Sequence, residues 1–174
     1  MKHKIIICFI TLFALLQMSF IHHDVLDEIR SNYPKAVDDE ALTKAMLQKI
    51  ADLKLNTVTA VGYRGAFESL MAKHAFSVFT KLEYLKKAHA SFQSALKVSP
   101  NHLEVRLLRY IVEFNTPAYV GYSKHLAEDK AKIFELVKTY TQNKPDKYQQ
   151  YLLGVLLDKV ALTTAEKKQI QALL

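Results

Sequence analysis

The chain is predicted to be an all-α protein, an α-α superhelix or an irregular helical bundle of about eight helices that follow an N-terminal signal segment. Three observations carry that prediction. Apolar residues recur at helical spacing along most of the chain. Several helix starts are marked by capping residues. With 174 residues, 50% of them hydrophobic, and only four Gly and four Pro, the chain can bury a sizeable core and is not loop-rich or disordered.

The first residues, "MKHKIIICFITLFALLQMSF", have the parts of a secretory signal. Lys2 and Lys4 form a basic start, Ile5 to Leu16 an apolar run, and Gln17 and Ser19 a polar end. The run is shorter than the ~18–20 residues that span a bilayer. Residues 1–20 are therefore expected to be a signal peptide, with an uncleaved membrane anchor as the alternative, and 21–174 a single α-helical domain. The protein is expected to be exported, to a periplasm or the medium. Loss of Lys2 and Lys4 takes the formal charge from +7 to +5. No run of five or six like charges marks a nucleic-acid tail, so no nucleic-acid partner is expected. Cys8, the only cysteine, lies inside the apolar run, which leaves the mature chain without disulfide, thiol nucleophile or thiolate metal site.

The elements follow in order. Asp24 to about Lys35 reads as a short helix disturbed by Pro34. Asp38 and Asp39 start a second, with Leu42, Met46, Ile50 and Leu53 on one face. The third runs from about Thr57 to Phe76 and carries Tyr63, Phe67, Leu70 and Met71. Gly62 and Gly65 lie inside it; each costs roughly 1 kcal/mol against Ala in a helix, so they mark close approach by another helix. "TKLE", Thr80 to Glu83, and "NHLE", Asn101 to Glu104, have the spacing of capping boxes, as do Thr163 and Glu166. Pro117 ends the helix that Asn101 starts. Ser123 is the expected cap of a helix reaching Tyr140, and helices at about 146–159 and 164–173 close the chain. The only β-like run, "NTVTAV", leads straight into the third helix.

The stretch "KKAHASFQSALKVSPN" has a particular spacing. Ala88, Phe92 and Ala95 share one helical face, and small residues there let a neighbour close in around the ring. With Leu96, Pro100 and Asn101, it resembles the second helix of a tetratricopeptide repeat. An array would recur at about 34 residues. The corresponding positions forward are Tyr122, Leu126, Asp129 and Phe134; backward they are Lys54, Val58, Val61 and Ala66. Neither set copies the motif, so one helix pair is repeat-like and the rest divergent. More widely, "YRGAFESLMAKHAF", "LEVRLLRYIVEFNTP" and "YVGYSKHLAEDK", within about Asp24 to Tyr140, resemble segments of small exported bacterial helical proteins with no assigned activity. That resemblance implies export and a tetratricopeptide-like helical fold. It supplies no catalytic or ligand residues.

The helix from Leu103 to Phe114 is expected to be central. At about 100° per residue, apolar side chains cover two sectors, and Arg106, Arg109 and Glu113 share a stripe about 60° wide. Glu104 is explained by capping. The stripe is open to three readings: a solvated strip, an ionic hub with Glu68, Glu128 or Asp129, or a partner-binding surface whose guanidinium forks take carboxylates. Tyr119 and Tyr122, just beyond Pro117, could line the same surface. Arg106, Arg109, Glu113, Tyr119 and Tyr122 are thus the candidate interaction seam.

No nucleophile elbow, H-E-x-x-H, phosphate loop or calcium loop is present. His74, His89, His102 and His125 are isolated along the chain, without an i,i+4 pair. No catalytic residue, cofactor or metal site is assigned, and no enzyme is expected. The leading expectation is a module that binds another protein or a peptide, with a membrane contact only if the N-terminal segment is retained as an anchor. The alternative is a small-ligand-binding protein or enzyme with a pocket between helices.

Overall fold

The structure is a computed structural model that describes residues 24–141, 144–160 and 162–174. The signal segment expected at 1–20 lies outside the described residues. Among those described, the chain is all-α: eight helices, no strand, and no helix long and apolar enough to cross a membrane. Helix α1 covers residues 24–36. It is followed by α2 (Glu40–Asp52), α3 (Val58–His74), α4 (Val78–Val98), α5 (Leu103–Asn115), α6 (Leu126–Val137), α7 (Lys147–Lys159) and α8 (Thr164–Gln171), with 3-10 turns at Ala118–Val120 and Lys138–Thr141.

Short connections fold successive helices back on one another. Helices α3 and α4, α5 and α6, and α7 and α8 pack as pairs, and α5 lies between α3 and α7. One hydrophobic core runs through all of this, from Ile29 in α1 to Leu173 after α8. Helix α5 is its centre: Leu103 to Tyr110 are all buried, Arg106 and Arg109 among them. Tyr33, Tyr63 and Phe67 meet edge-on beside it, with Tyr33 5.8 Å from each of the other two rings.

The two glycines of α3 are contact points. A Cβ on Gly62 would stand 2.7 Å from Cγ2 of Val105 in α5. One on Gly65 would stand 3.0 Å from the Ala88 carbonyl oxygen and 3.3 Å from the Phe92 ring in α4. Ala88, Phe92 and Ala95 are all buried. The small-aromatic-small face of α4 is therefore the face that α3 approaches, and the absence of side chains on α3 is what permits it.

Several helix starts differ from the sequence expectation. Helix α4 begins at Val78, capped by Ser77, whose hydroxyl accepts from the Thr80 amide at 3.1 Å. "TKLE" is thus one turn inside the helix. Helix α5 is capped by His102, not Asn101; its Nδ1 accepts from the Val105 amide. Helix α6 starts after His125, because Ser123 is drawn back to the Glu113 and Thr116 carbonyl oxygens, to each of which it donates at 2.9 Å. Helix α7, expected from about 146, runs from Lys147 and is capped by Asp146 with Gln149. At α6 a contact with α5 decides the start, whereas at α4 and α5 one local cap replaces another a few residues away. The Thr163–Glu166 box is present as expected.

Candidate functional site

Four polar residues of α5, at 104, 106, 109 and 113, lead to three different neighbours: Arg30, Asp129 (shared by the two arginines) and His125. Glu104 is buried and takes a two-pronged guanidinium from α1: Arg30 Nε donates to Oε1 at 2.9 Å and Nη2 to Oε2 at 2.6 Å. The Tyr63 hydroxyl donates to the same Oε1 at 2.9 Å. Burial, with the Glu104 carboxylate alongside, pushes the Tyr63 phenol far above its ordinary range. Glu104 is therefore no capping residue. It joins α1, α3 and α5, a role its place in the first turn concealed.

The arginine stripe is an ionic hub. Asp129 of α6 is fully buried and receives Arg106 Nη1 at 2.6 Å, Arg109 Nε at 2.6 Å and Arg109 Nη2 at 2.7 Å. Arg106 Nε also donates to the Pro100 carbonyl oxygen at 2.6 Å. Glu128, beside Asp129 in sequence, touches both arginines from the outside, at 3.0 and 3.5 Å, with 58% of its side chain exposed. The hydrogen bond from Arg106 holds the Glu128 carboxyl below its ordinary value. Two of the three expected carboxylates are present. Glu68 instead accepts from the Ser91 hydroxyl at 2.7 Å, and burial raises its pKa. The arginines are neither a solvated strip nor free forks for a partner: they are 5–6% exposed, and each gives Nε and one Nη to acceptors within the fold.

Glu113 departs from the arginines. Its carboxylate lies 2.7 Å from Nδ1 of His125 and accepts from the His125 backbone N–H, also at 2.7 Å. His89 of α4 stands over His125 with ring centroids 5.3 Å apart, and Tyr122 lies 5.9 Å from His89 on the same measure. Burial, with His125 as the next cause, lowers the His89 pKa. A small cavity of about 10 Å³ adjoins this group, lined by Leu85, Phe92, Val112 and Thr116 as well as His89 and Tyr122. Histidines 36 positions apart in the chain thus meet beside one carboxylate, which His125 contacts directly, and linear spacing could not show that.

The seam expected from sequence is therefore divided. Arg106 and Arg109 face Asp129, Glu113 and Tyr122 face the histidine pair, and Tyr119 is 91% exposed on the 3-10 turn. A wider cleft of about 710 Å³ runs along α4, lined by Gln93, Ser94, Lys97 and Pro100, with Arg106 and Arg109 in its wall.

The largest apolar exposure is elsewhere, at the turn from α3 to α4. Phe76 is fully exposed, Phe79 73% and Val78 71%. Leu82, one turn further along α4, is also exposed. Phe114 at the end of α5 and Tyr119 on the 3-10 turn are exposed as well. Nothing in the local pattern requires these side chains to be outside; among the described residues, none covers them.

Fold and clusters together define an all-α protein of stacked helix pairs with a polar spine along α5. No protein-family model, no curated protein and no solved structure matches the chain.

Proposed function

We propose that this chain is an exported, tetratricopeptide-like helical module that binds another protein through the exposed apolar end of the stack. The single observation behind this reading is the cluster of Phe76, Val78 and Phe79 in the solvent at one tight turn. Scattered apolar side chains on a surface are ordinary, but three large ones within four residues, joined by Leu82, form a contiguous patch of the kind that marks an interaction site. Aromatic anchors in such a patch supply most of the energy of a protein interface. The arginines that sequence suggested as anchors are occupied by Asp129, so the binding surface moves from α5 to the α3–α4 turn. Export is supported by the N-terminal sequence, "MKHKIIICFITLFALLQMSF".

The test compares the protein with Phe76→Ser/Phe79→Ser. Both residues are exposed, so the melting temperature is expected to hold within a few degrees. Envelope and medium proteins that co-purify with the parent and are lost from the variant are the expected partners. Retention of the same proteins by the variant refutes the reading. Binding of the parent to protein-free lipid vesicles, lost in the variant, would assign the patch to a membrane surface instead.

A second reading, a small-ligand site, has the cleft along α4 in its favour. A ligand there would meet Gln93, Ser94 and Lys97, because the arginine donors in its wall are already directed to Asp129.

A further inference from the structure

We propose that His89, Glu113 and His125 form a binding site for one divalent transition-metal ion of the zinc class. The three come from α4, the last turn of α5 and the residue that opens α6. One ligand atom from each lies within 4.8 Å of the others. Two imidazoles and one carboxylate are a donor set that zinc takes, leaving a fourth position for water. Tetrahedral Zn–N and Zn–O bonds of about 2.0–2.2 Å put ligand atoms about 3.3–3.5 Å apart. The Glu113–His125 contact, at 2.7 Å, therefore opens by under an ångström when the ion replaces the proton between them. His89 closes by a somewhat larger rotation of its ring.

The surroundings favour such a site. Glu113 is buried, and the His125 backbone N–H holds its second oxygen at 2.7 Å, which orients the carboxylate as an outer-shell hydrogen bond does at metal centres. Ser123 pins the chain leading into the site by donating to the Glu113 and Thr116 carbonyl oxygens. His125 makes no capping bond with its side chain, so its ring is directed at Glu113 instead. Both histidines are partly exposed, which gives an ion a way in. A bound ion joins α4 to the start of α6 across the ten-residue connection that carries Tyr119, and so fixes that connection.

The experiment uses the full chain, untagged, with His22→Ala and His23→Ala so that these two adjacent histidines do not contribute. Metal-free protein is titrated with Zn²⁺ against a chromophoric chelator, and with Co²⁺ in parallel. One equivalent of zinc is expected to bind, protons are expected to be released, and Co²⁺ is expected to give the intense visible bands of a tetrahedral site. His125→Gln and His89→Gln are each expected to weaken zinc at least ~100-fold, since even outer-shell changes cost 10–100-fold. His89→Gln leaves the Glu113–His125 pair in place, so its loss of affinity is separable from misfolding, and circular dichroism checks both variants. Zinc binding by the parent no tighter than by the His89→Gln/His125→Gln double variant overturns the proposal and leaves an ion pair with a neighbouring imidazole.

Discussion

Asp129 and Glu128 are neighbours in sequence, and both touch Arg106 and Arg109, yet their removal should have very different consequences. Asp129 has no exposure and accepts three guanidinium N–H bonds at 2.6–2.7 Å. Each charge-assisted bond contributes about 1.5–3 kcal/mol. Part of that sum only offsets the desolvation of the three charges, so the net value of the hub is far smaller than the total. Deleting one partner is different, because the desolvated guanidinium groups stay behind without their counter-charge. Asp129→Ala is therefore expected to cost about 3–5 kcal/mol, a large share of the ~5–15 kcal/mol that holds a domain together. Glu128 is 58% exposed, and an ion pair in that setting contributes about 0–1 kcal/mol. Urea denaturation followed by circular dichroism separates the two. For a slope near 2 kcal/mol per molar, the Asp129→Ala midpoint falls by about 1.5–2.5 M and that of Glu128→Ala by under about 0.5 M. Arg106→Met/Arg109→Met/Asp129→Leu fills the same space without charge and is expected to recover most of the loss. Equal, small shifts for the two single variants would show the hub to be solvated and refute the reasoning.

Two further outcomes follow from the geometry. Gly62→Ala drives a methyl to 2.7 Å from Val105, and the strain of about 1–3 kcal/mol outweighs the helix-propensity gain, whereas Gly154→Ala, with nothing within 4 Å, should stabilise by up to about 1 kcal/mol; equal effects in thermal melts would contradict this. His102 is held below the ordinary imidazole value of 6.5, chiefly by burial, while its Nδ1 accepts from the Val105 amide and its Nε2 lies 3.1 Å from the Thr59 hydroxyl. With the folded pKa depressed, the unfolded chain binds the proton first. This contribution is complete above about pH 6.5 and is lost as the pH falls through the folded pKa. His102→Asn should flatten the acid side of the stability profile, and parallel profiles for the two proteins would count against it.

Much of the fold was legible because it rests on repeating patterns. The apolar periodicity of α2, α3 and α5 comes from burial of one face or more, and each of those helices is present. Gly62 and Gly65 were readable as close approaches because a glycine inside a helix has a cost that only packing offsets. Pro117, through backbone geometry, and the Thr163–Glu166 box, through side-chain bonds within one turn, act locally and kept their places. The shifted caps of α4, α5 and α6 show the opposite case. Ser77 and Thr80 are both good caps, and a difference of a fraction of a kcal/mol, set by how α3 turns into α4, chose between them.

The polar sites were half legible. That Arg106 and Arg109 share a stripe follows from helix geometry, and Asp129 could be named as a partner because it lay on the next helix. Glu113, one turn from Arg109 on the same stripe, turns instead to His125. Glu104 looked like a cap and turned inward to Arg30, 74 positions away. Sequence alone determined the class of fold, the central place of α5, the close contact of α3 with its neighbours and the basic, cysteine-free character of residues 21–174. Those properties depend on local spacing and composition. Tertiary structure decided which carboxylate meets which arginine, that His125 takes Glu113 with His89 beside it, and that Phe76 and Phe79 stay in the solvent. Each depends on which helix faces cross in space, and chain spacing carries no record of that.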